Sequence, residues 1–145
     1  MPKTDFNPIE IELVDVELIP YVRMTRRSMH VNKYAIRYLK QQKELREGIG
    51  ELLSSQELKT FDDGLYIPDK APFMLILKVD TSLRMHRCDL DNLVKSVLDL
   101  CQNVVFKNDS YCDAIISSRH PIPKDGIPKT SISFYPWTGN WPVLS

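Results

Sequence analysis

Residues 88–100 read CDLDNLVKSVLDL, and the rest of the chain is best understood outward from them. Leu90, Leu93, Val94, Val97, Leu98, Cys101, Val104 and Val105 recur at steps of three and four, which predicts a helix over residues 90–105 with one apolar stripe. Asp91, Lys95 and Asp99 stand at i, i+4 and i+8, on the face opposite that stripe. Asp89 precedes the first turn, where a carboxylate can cap free N–H groups. Taken alone, this is a solvated helix face, with Asp91 and Lys95 forming an exposed pair worth roughly 0.2–0.5 kcal/mol. Three neighbours point further. Asp89 and Asp91 both sit at the positive end of the helix dipole, so each can stay ionised without a partner, and two free carboxylates suit a hard cation such as Mg²⁺. Arg84 and Arg87 come just before, within reach of an anion held by the same cation. The segment FKNDS, residues 106–110, adds Asp109 as a third carboxylate. Three carboxylates, a lysine and flanking arginines are what phosphodiester hydrolysis calls for: a metal polarises the phosphate, and cations stabilise charge at phosphorus.

Around this helix the chain alternates between strand and helix signals. Residues 9–19, IEIELVDVELI, alternate apolar and acidic and change phase at Leu13–Val14, which predicts one bulged strand or two short ones. Residues 20–32 read as a basic loop, and residues 33–54 show helical spacing with Ile36, Leu39, Ile49, Leu52 and Leu53 on the apolar side. Gly48 and Gly50 weaken the end of that helix. Turn residues fill 56–71, and 72–80, PFMLILKVD, suits a central strand. Residues 112–119 and 129–135 read as a closing hairpin around a turn at Pro121–Gly126. The expected fold is mixed α/β or α+β, with a single small sheet of about four strands packed with two main helices. We expect one domain over residues 1–135 and a loosely ordered C-terminal tail over 136–145.

Composition narrows the function. The 145 residues carry 19 basic and 19 acidic side chains, a net charge of zero. The charge is nevertheless segregated: eight Lys/Arg against two Glu leave residues 21–50 at +6, flanked by acidic segments. Such a block suits a phosphate-rich partner, although Lys40, Lys43 and Arg46 fit a solvated helix face equally well. No apolar run is long enough to span a membrane and no basic-then-apolar leader is visible, so the expectation is an intracellular, cytoplasmic protein. Cys88, Cys101 and Cys112 are odd in number and widely spaced, which speaks against a disulfide framework or a zinc site. A calcium loop starting at Asp89 would need glycine where Val94 stands and glutamate where Leu100 stands. No phosphate-cradling glycine motif or serine-hydrolase elbow is present, so no nucleotide cofactor is expected.

With these residues laid out, the chain resembles the RusA family of Holliday-junction resolvases. The likeness rests on DLDNLVKSVLD at 89–99, NDS at 108–110, and the late pattern CDAIISSRHPIPKDGIPKTSISF. It extends more weakly to the first strand and its basic loop. The resemblance implies Mg²⁺-dependent cleavage of branched DNA, the four-way junction, by a homodimer, in recombination and repair, with Mn²⁺ as a substitute metal. It places the metal-binding carboxylates on Asp89, Asp91 and Asp109 and the essential lysine on Lys95. Asp99 falls on a further acidic position and would support Lys95. Arg23, Arg26, Arg27, Lys33, Arg84 and Arg87 would contact flanking phosphates, which position DNA without reading its bases. Such a protein could belong to a cell or to a phage. One departure stands out: Asn108 replaces the first of two adjacent aspartates in the family pattern. The rival reading is therefore a branched-DNA-binding module that keeps the fold without catalysis.

Overall fold

The apolar run after Pro72 becomes the strand around which everything else is arranged. The computed structural model describes residues 5–21, 33–82 and 89–141. Its elements are β1 (Ile9–Val14), α1 (Lys33–Ser54), β2 (Phe73–Thr81), α2 (Leu90–Cys101), β3 (Cys112–Pro121) and β4 (Lys129–Pro136), with short 3₁₀ turns at Asp62–Gly64 and Asp109–Tyr111. The four strands form one mixed sheet in the order β1-β4-β2-β3. This is the α+β arrangement expected, a small sheet with two main helices.

The pairing differs from the sequence expectation in one important respect. β3 and β4 do not form a hairpin. β4 enters between β1 and β2 and pairs antiparallel with both. β3 lies on the far side of β2 and runs parallel to it. Parallel neighbours need a crossover, and α2 supplies it. The helix that carries the acidic face is thus the connection of a β2–α2–β3 unit.

Packing follows from the alternation of each strand. Leu75, Leu77 and Val79 of β2, Ile132 and Phe134 of β4, and Ile9 and Ile11 of β1 are all buried in one cluster with Leu93, Val97 and Leu100 of α2 and Ile49 and Leu53 of α1. At one end Phe73, Phe106 and Phe134 pack ring on ring, with centroids 4.8 Å apart for Phe73–Phe106 and 5.7 Å for Phe73–Phe134.

Three local expectations are corrected. Only one strand lies in the 9–19 region, because the chain leaves the sheet at Asp15, which takes a left-handed φ of 60° and donates its N–H to Pro128. Helix α2 stops at Cys101, four residues short of the periodic pattern. Gln102 is extended and Asn103 is left-handed at φ 66°, a conformation asparagine tolerates well. Val105 and Phe106 are still buried, but from a turn. On α1 the buried residues are Ala35, Tyr38, Gln42, Ile49 and Leu53, while Ile36, Leu39 and Leu52 are exposed. Ile49 and Leu53 are buried as the spacing predicts, but in the first half of the helix the buried face runs one position earlier, through Ala35 and Tyr38. The Tyr38 hydroxyl donates to Asp99 and Gln42 Nε2 donates to Ser96, both on α2, while the buried Gln42 Oε1 has no partner among the described residues. The bounds of α1, Lys33–Ser54, are those the spacing predicts, with Gly48 and Gly50 inside the helix. Beyond β4, the N–H of Trp137 donates to Pro72, and the Trp137 and Trp141 rings lie 5.0 Å apart. No helix among the described residues is long and apolar enough to cross a membrane.

Candidate active site on helix α2

The two faces of α2 are as the sequence predicts. Leu93, Ser96, Val97, Leu100 and Cys101 are buried, while Asp91 and Lys95 are exposed and Asp99 is half-buried. Asp89 occupies the cap position by backbone geometry, but its side chain makes no capping hydrogen bond. Its exposed carboxylate is therefore not committed to the helix end. Among the described residues, no ion pair joins Lys95 to Asp91 or Asp99. The solvated-pair account of this face does not hold.

Lys95 has a different neighbour. Its Nζ lies 5.7 Å from the centre of the Tyr21 ring. Tyr21 meets Tyr38 edge to face at 6.0 Å, and the Tyr38 hydroxyl donates to Asp99 Oδ2 at 3.1 Å. Burial, followed by the charge of Asp99, raises the Tyr38 pKa far above that of a free phenol, so the hydroxyl stays a donor. Asp99 titrates above the usual carboxylate range, chiefly through burial. The bond from Tyr38 opposes that rise, Asp109 adds to it, and Arg46 and Lys95 oppose it. Asp99 thus answers to Tyr38 before Lys95, and the support expected for the lysine is not a direct ion pair.

The sign of this shift gives a testable pH dependence. A folded-state pKa above the unfolded one means that the folded chain binds the proton more readily. The Asp99 contribution to stability therefore falls as pH rises from about 3.9 to the elevated folded-state value. Asp99→Asn removes that term. In urea unfolding across about pH 3–7, the variant is expected to gain on the parent through this window and then hold a constant difference.

The C-terminal end of α2 is capped from α1. Arg46 Nη2 donates to the Asp99 carbonyl at 2.7 Å and Nε to the Leu100 carbonyl at 3.4 Å. A cation on terminal carbonyls also complements the helix dipole. Arg46 is thus engaged with the fold. Arg46→Ala is expected to lower unfolding free energy by about 1–2 kcal/mol, read by denaturant titration.

Asp109 opens the 3₁₀ turn before β3. Asn108 caps that turn, its Oδ1 accepting from the Ser110 N–H at 2.9 Å. The amide thus performs the local task an aspartate would perform there, and the turn that presents Asp109 is kept. Asp109 lies beyond the C-terminal end of α2, in the electrostatic neighbourhood of Asp99, whereas Asp89 and Asp91 lie at the N-terminal end. Twelve residues of helix, about 18 Å at a rise of 1.5 Å per residue, run between these ends. Accordingly, among the described residues no three His, Cys, Asp or Glu side chains gather closely enough to enclose a metal ion. Asp89 and Asp91 still fit Mg²⁺ by donor chemistry, since that cation is commonly held by one or two carboxylates and completes its shell with waters and substrate phosphate.

The phosphate-contact residues are only partly accessible to description. Lys33 opens α1 and is exposed. Arg23, Arg26, Arg27, Arg84 and Arg87 lie outside the described residues. Their points of attachment are clear, however. Tyr21, which leads into residues 22–32, donates its N–H to Asn92 in the first turn of α2 at 3.0 Å. Ser82, which leads into residues 83–88, is held by Glu17, whose Oε1 accepts from the Ser82 N–H and hydroxyl and from Thr81 Oγ1. The other end of residues 83–88 is Asp89 itself. Of the cysteines, buried Cys101 has its thiol pKa pushed up to about 12 and Cys112 to about 11, both mainly by burial, so both act as packing groups. Cys88 lies outside the described residues.

Tyr21, Tyr38, Gln42, Ser96 and Arg46 were not legible as site residues. Each acts through a partner on a different element, and no local spacing announces that.

The features above define a class: a small α+β protein with carboxylates and a lysine on the crossover helix of a mixed sheet, a donor set suited to phosphodiester chemistry. A family model described as Endodeoxyribonuclease RusA matches residues 20–134, most of the chain. The chain belongs to the RusA endodeoxyribonuclease family. The match takes in all the carboxylates, Lys95 and both basic segments and leaves out β1. No curated protein matches closely enough to count as a relative.

Proposed function

We propose that this protein is a divalent-metal-dependent endonuclease that resolves four-way DNA junctions as a homodimer, in recombination and repair. The observation that carries the reading is the α2 face: an Asp89 that makes no capping bond, then Asp91 and a Lys95 that joins no ion pair among the described residues, within a chain that belongs to an endodeoxyribonuclease family.

In this reading Asp89 and Asp91 hold Mg²⁺, or Mn²⁺ in its place. The cation would polarise the scissile phosphate and acidify a water. Lys95 brings a full positive charge to the same face, where it orients the attacking water or steadies charge on the phosphorus. Lys33 and the arginines at 23, 26, 27, 84 and 87 take the flanking phosphates. The two segments that carry these arginines are anchored in the described fold at Tyr21, bonded to Asn92 of α2, and at Asp89. Water adds to phosphorus as the P–O bond to the neighbouring sugar breaks, and the departing oxygen takes a proton.

The position of Asp109 adds a structural element to the proposal. Within one chain it sits at the wrong end of α2 to join Asp89 and Asp91. A two-fold partner supplies a second Asp109, and a homodimer then builds two sites, each with Asp89 and Asp91 from one copy and Asp109 from the other. Two equivalent sites suit a junction cut at paired positions.

The split carboxylates also favour a second reading, a junction-binding module without catalysis. Cleavage of an end-labelled four-way junction across a Mg²⁺ titration, with linear duplex as control, separates the two. Metal-dependent, symmetric nicks in the junction alone are the expected result. Salt-sensitive junction binding with no cut at any Mg²⁺ or Mn²⁺ level would leave only the binding module.

A further inference from the structure

The segment before the first basic stretch is held unusually firmly for irregular chain. Gln41 of α1 clips it like a strand neighbour: its Oε1 accepts from the Ile19 N–H and its Nε2 donates to the Glu17 carbonyl, both at 2.8 Å. From the other side, Ser96 of α2 donates its hydroxyl to the Ile19 carbonyl at 2.8 Å. Ser96 is itself fixed by Gln42, which is buried and donates to the Ser96 carbonyl at 3.0 Å. Two residues on, the Tyr21 N–H donates to Asn92. These bonds from both helices converge on one result: the Tyr21 ring is set beneath the ammonium of Lys95 and braced at its edge by Tyr38.

We propose that Tyr21 is a positioning residue for Lys95, holding the ammonium over its ring face so that the lysine meets the scissile phosphate with its charge and its donors intact. A carboxylate partner would fix the lysine equally well, but it would cancel the charge and occupy N–H groups. A ring face attracts the cation through its quadrupole and leaves the N–H groups free to point away from the ring. Asp99, the acidic group one turn along, is turned to Tyr38 instead. The arrangement therefore keeps the lysine free of the anion best placed to neutralise it. The inference rests on the reading of Lys95 as the cation of the cleavage reaction.

The test uses the full-length chain, single-turnover cleavage of a four-way junction at saturating Mg²⁺, and junction affinity measured in Ca²⁺. Tyr21→Phe keeps the ring and is expected to cut within about twofold of the parent. Replacing Tyr21 by phenylalanines carrying one, two and then five ring fluorines preserves the shape while draining the ring face. The cleavage rate is expected to fall stepwise, reaching roughly tenfold at five fluorines, with junction affinity unchanged. Tyr21→Leu is expected to match the five-fluorine chain. A flat fluorine series overturns the inference, as does a Tyr21→Phe chain as slow as Tyr21→Leu, or a loss of affinity that accounts for the loss of rate. Lys95→Met separates the levels. If it is inactive and the fluorine series is flat, only the positioning role falls. If it cuts at the parental rate, the role of Lys95 in cleavage falls, and the inference with it, while a parent chain that cuts no junction at any Mg²⁺ level overturns the function reading itself.

Discussion

Asp91→Asn is expected to bind a four-way junction at least as tightly as the parent and to cut it at least about 100-fold more slowly. The two halves of this expectation have separate causes. Asp91 is exposed in the first turn of α2, so exchanging its carboxylate for an amide costs the fold little beyond the loss of a favourable charge–dipole contact of about 0.3–1 kcal/mol. The exchange also removes a negative charge from the surface that would receive phosphates in the proposed reading, which favours binding. The amide cannot replace an anionic oxygen in holding a hard cation, so cleavage falls and any residual rate requires more metal. The measurement is a junction cleavage rate against Mg²⁺ concentration, paired with a binding isotherm in Ca²⁺. A parental rate at parental Mg²⁺ would remove Asp91 from the metal site.

Mixing two inactive chains is expected to recover nicking. In the shared arrangement, a dimer with one Asp91→Asn chain and one Asp109→Asn chain has both lesions in the same site. Its other site is intact. Random assortment leaves about a quarter of all sites active. The product is a nicked junction, because a dimer with one working site cannot make the paired cut. Co-refolding the two chains with different tags, isolating the mixed dimer and resolving its products on a denaturing gel tests this. If all three carboxylates act within one chain, every site in the mixture carries a lesion and no nick appears. The result thus distinguishes the two geometries even if each single variant is dead.

The acidic helix was the most legible part of the chain because its information is local. The three- and four-residue steps from Leu90 onward place the apolar stripe, and the same count places Asp91, Lys95 and Asp99 together on the other side. The central strand after Pro72 was legible for the same reason. Pairing was not. KTSISFY has the alternation of a strand, yet nothing in its residues says that it enters between β1 and β2 and leaves β3 without a hairpin partner. Nor does the spacing reveal that Asn103 turns left-handed and ends α2 early. The Tyr21–Tyr38–Asp99 line was hidden for a further reason. Its bond from Tyr38 to Asp99 spans 61 positions, and the Ser96–Ile19 bond that steadies it spans 77. Asp109 was found by its type and distance from the helix, but its location at the far end of α2 emerges only from the crossover.

The insertion of β4 between β1 and β2 has a consequence for how the molecule comes into being. Ile9 pairs with Phe134, 125 positions later, and the whole of β1 finds its sheet neighbour in β4. A ribosome releases β1 early and must hold it without that neighbour until the last strand emerges. The β2–α2–β3 unit, by contrast, can close from neighbouring segments well before then. Formation of the sheet is therefore expected to be governed by a late, long-range event, which slows folding and leaves an apolar edge open to other chains in the interval. For a chain belonging to an endodeoxyribonuclease family, this order of assembly also means that the carboxylate-bearing helix is made before the finished sheet beneath it, so a completed fold would wait until β4 has been made.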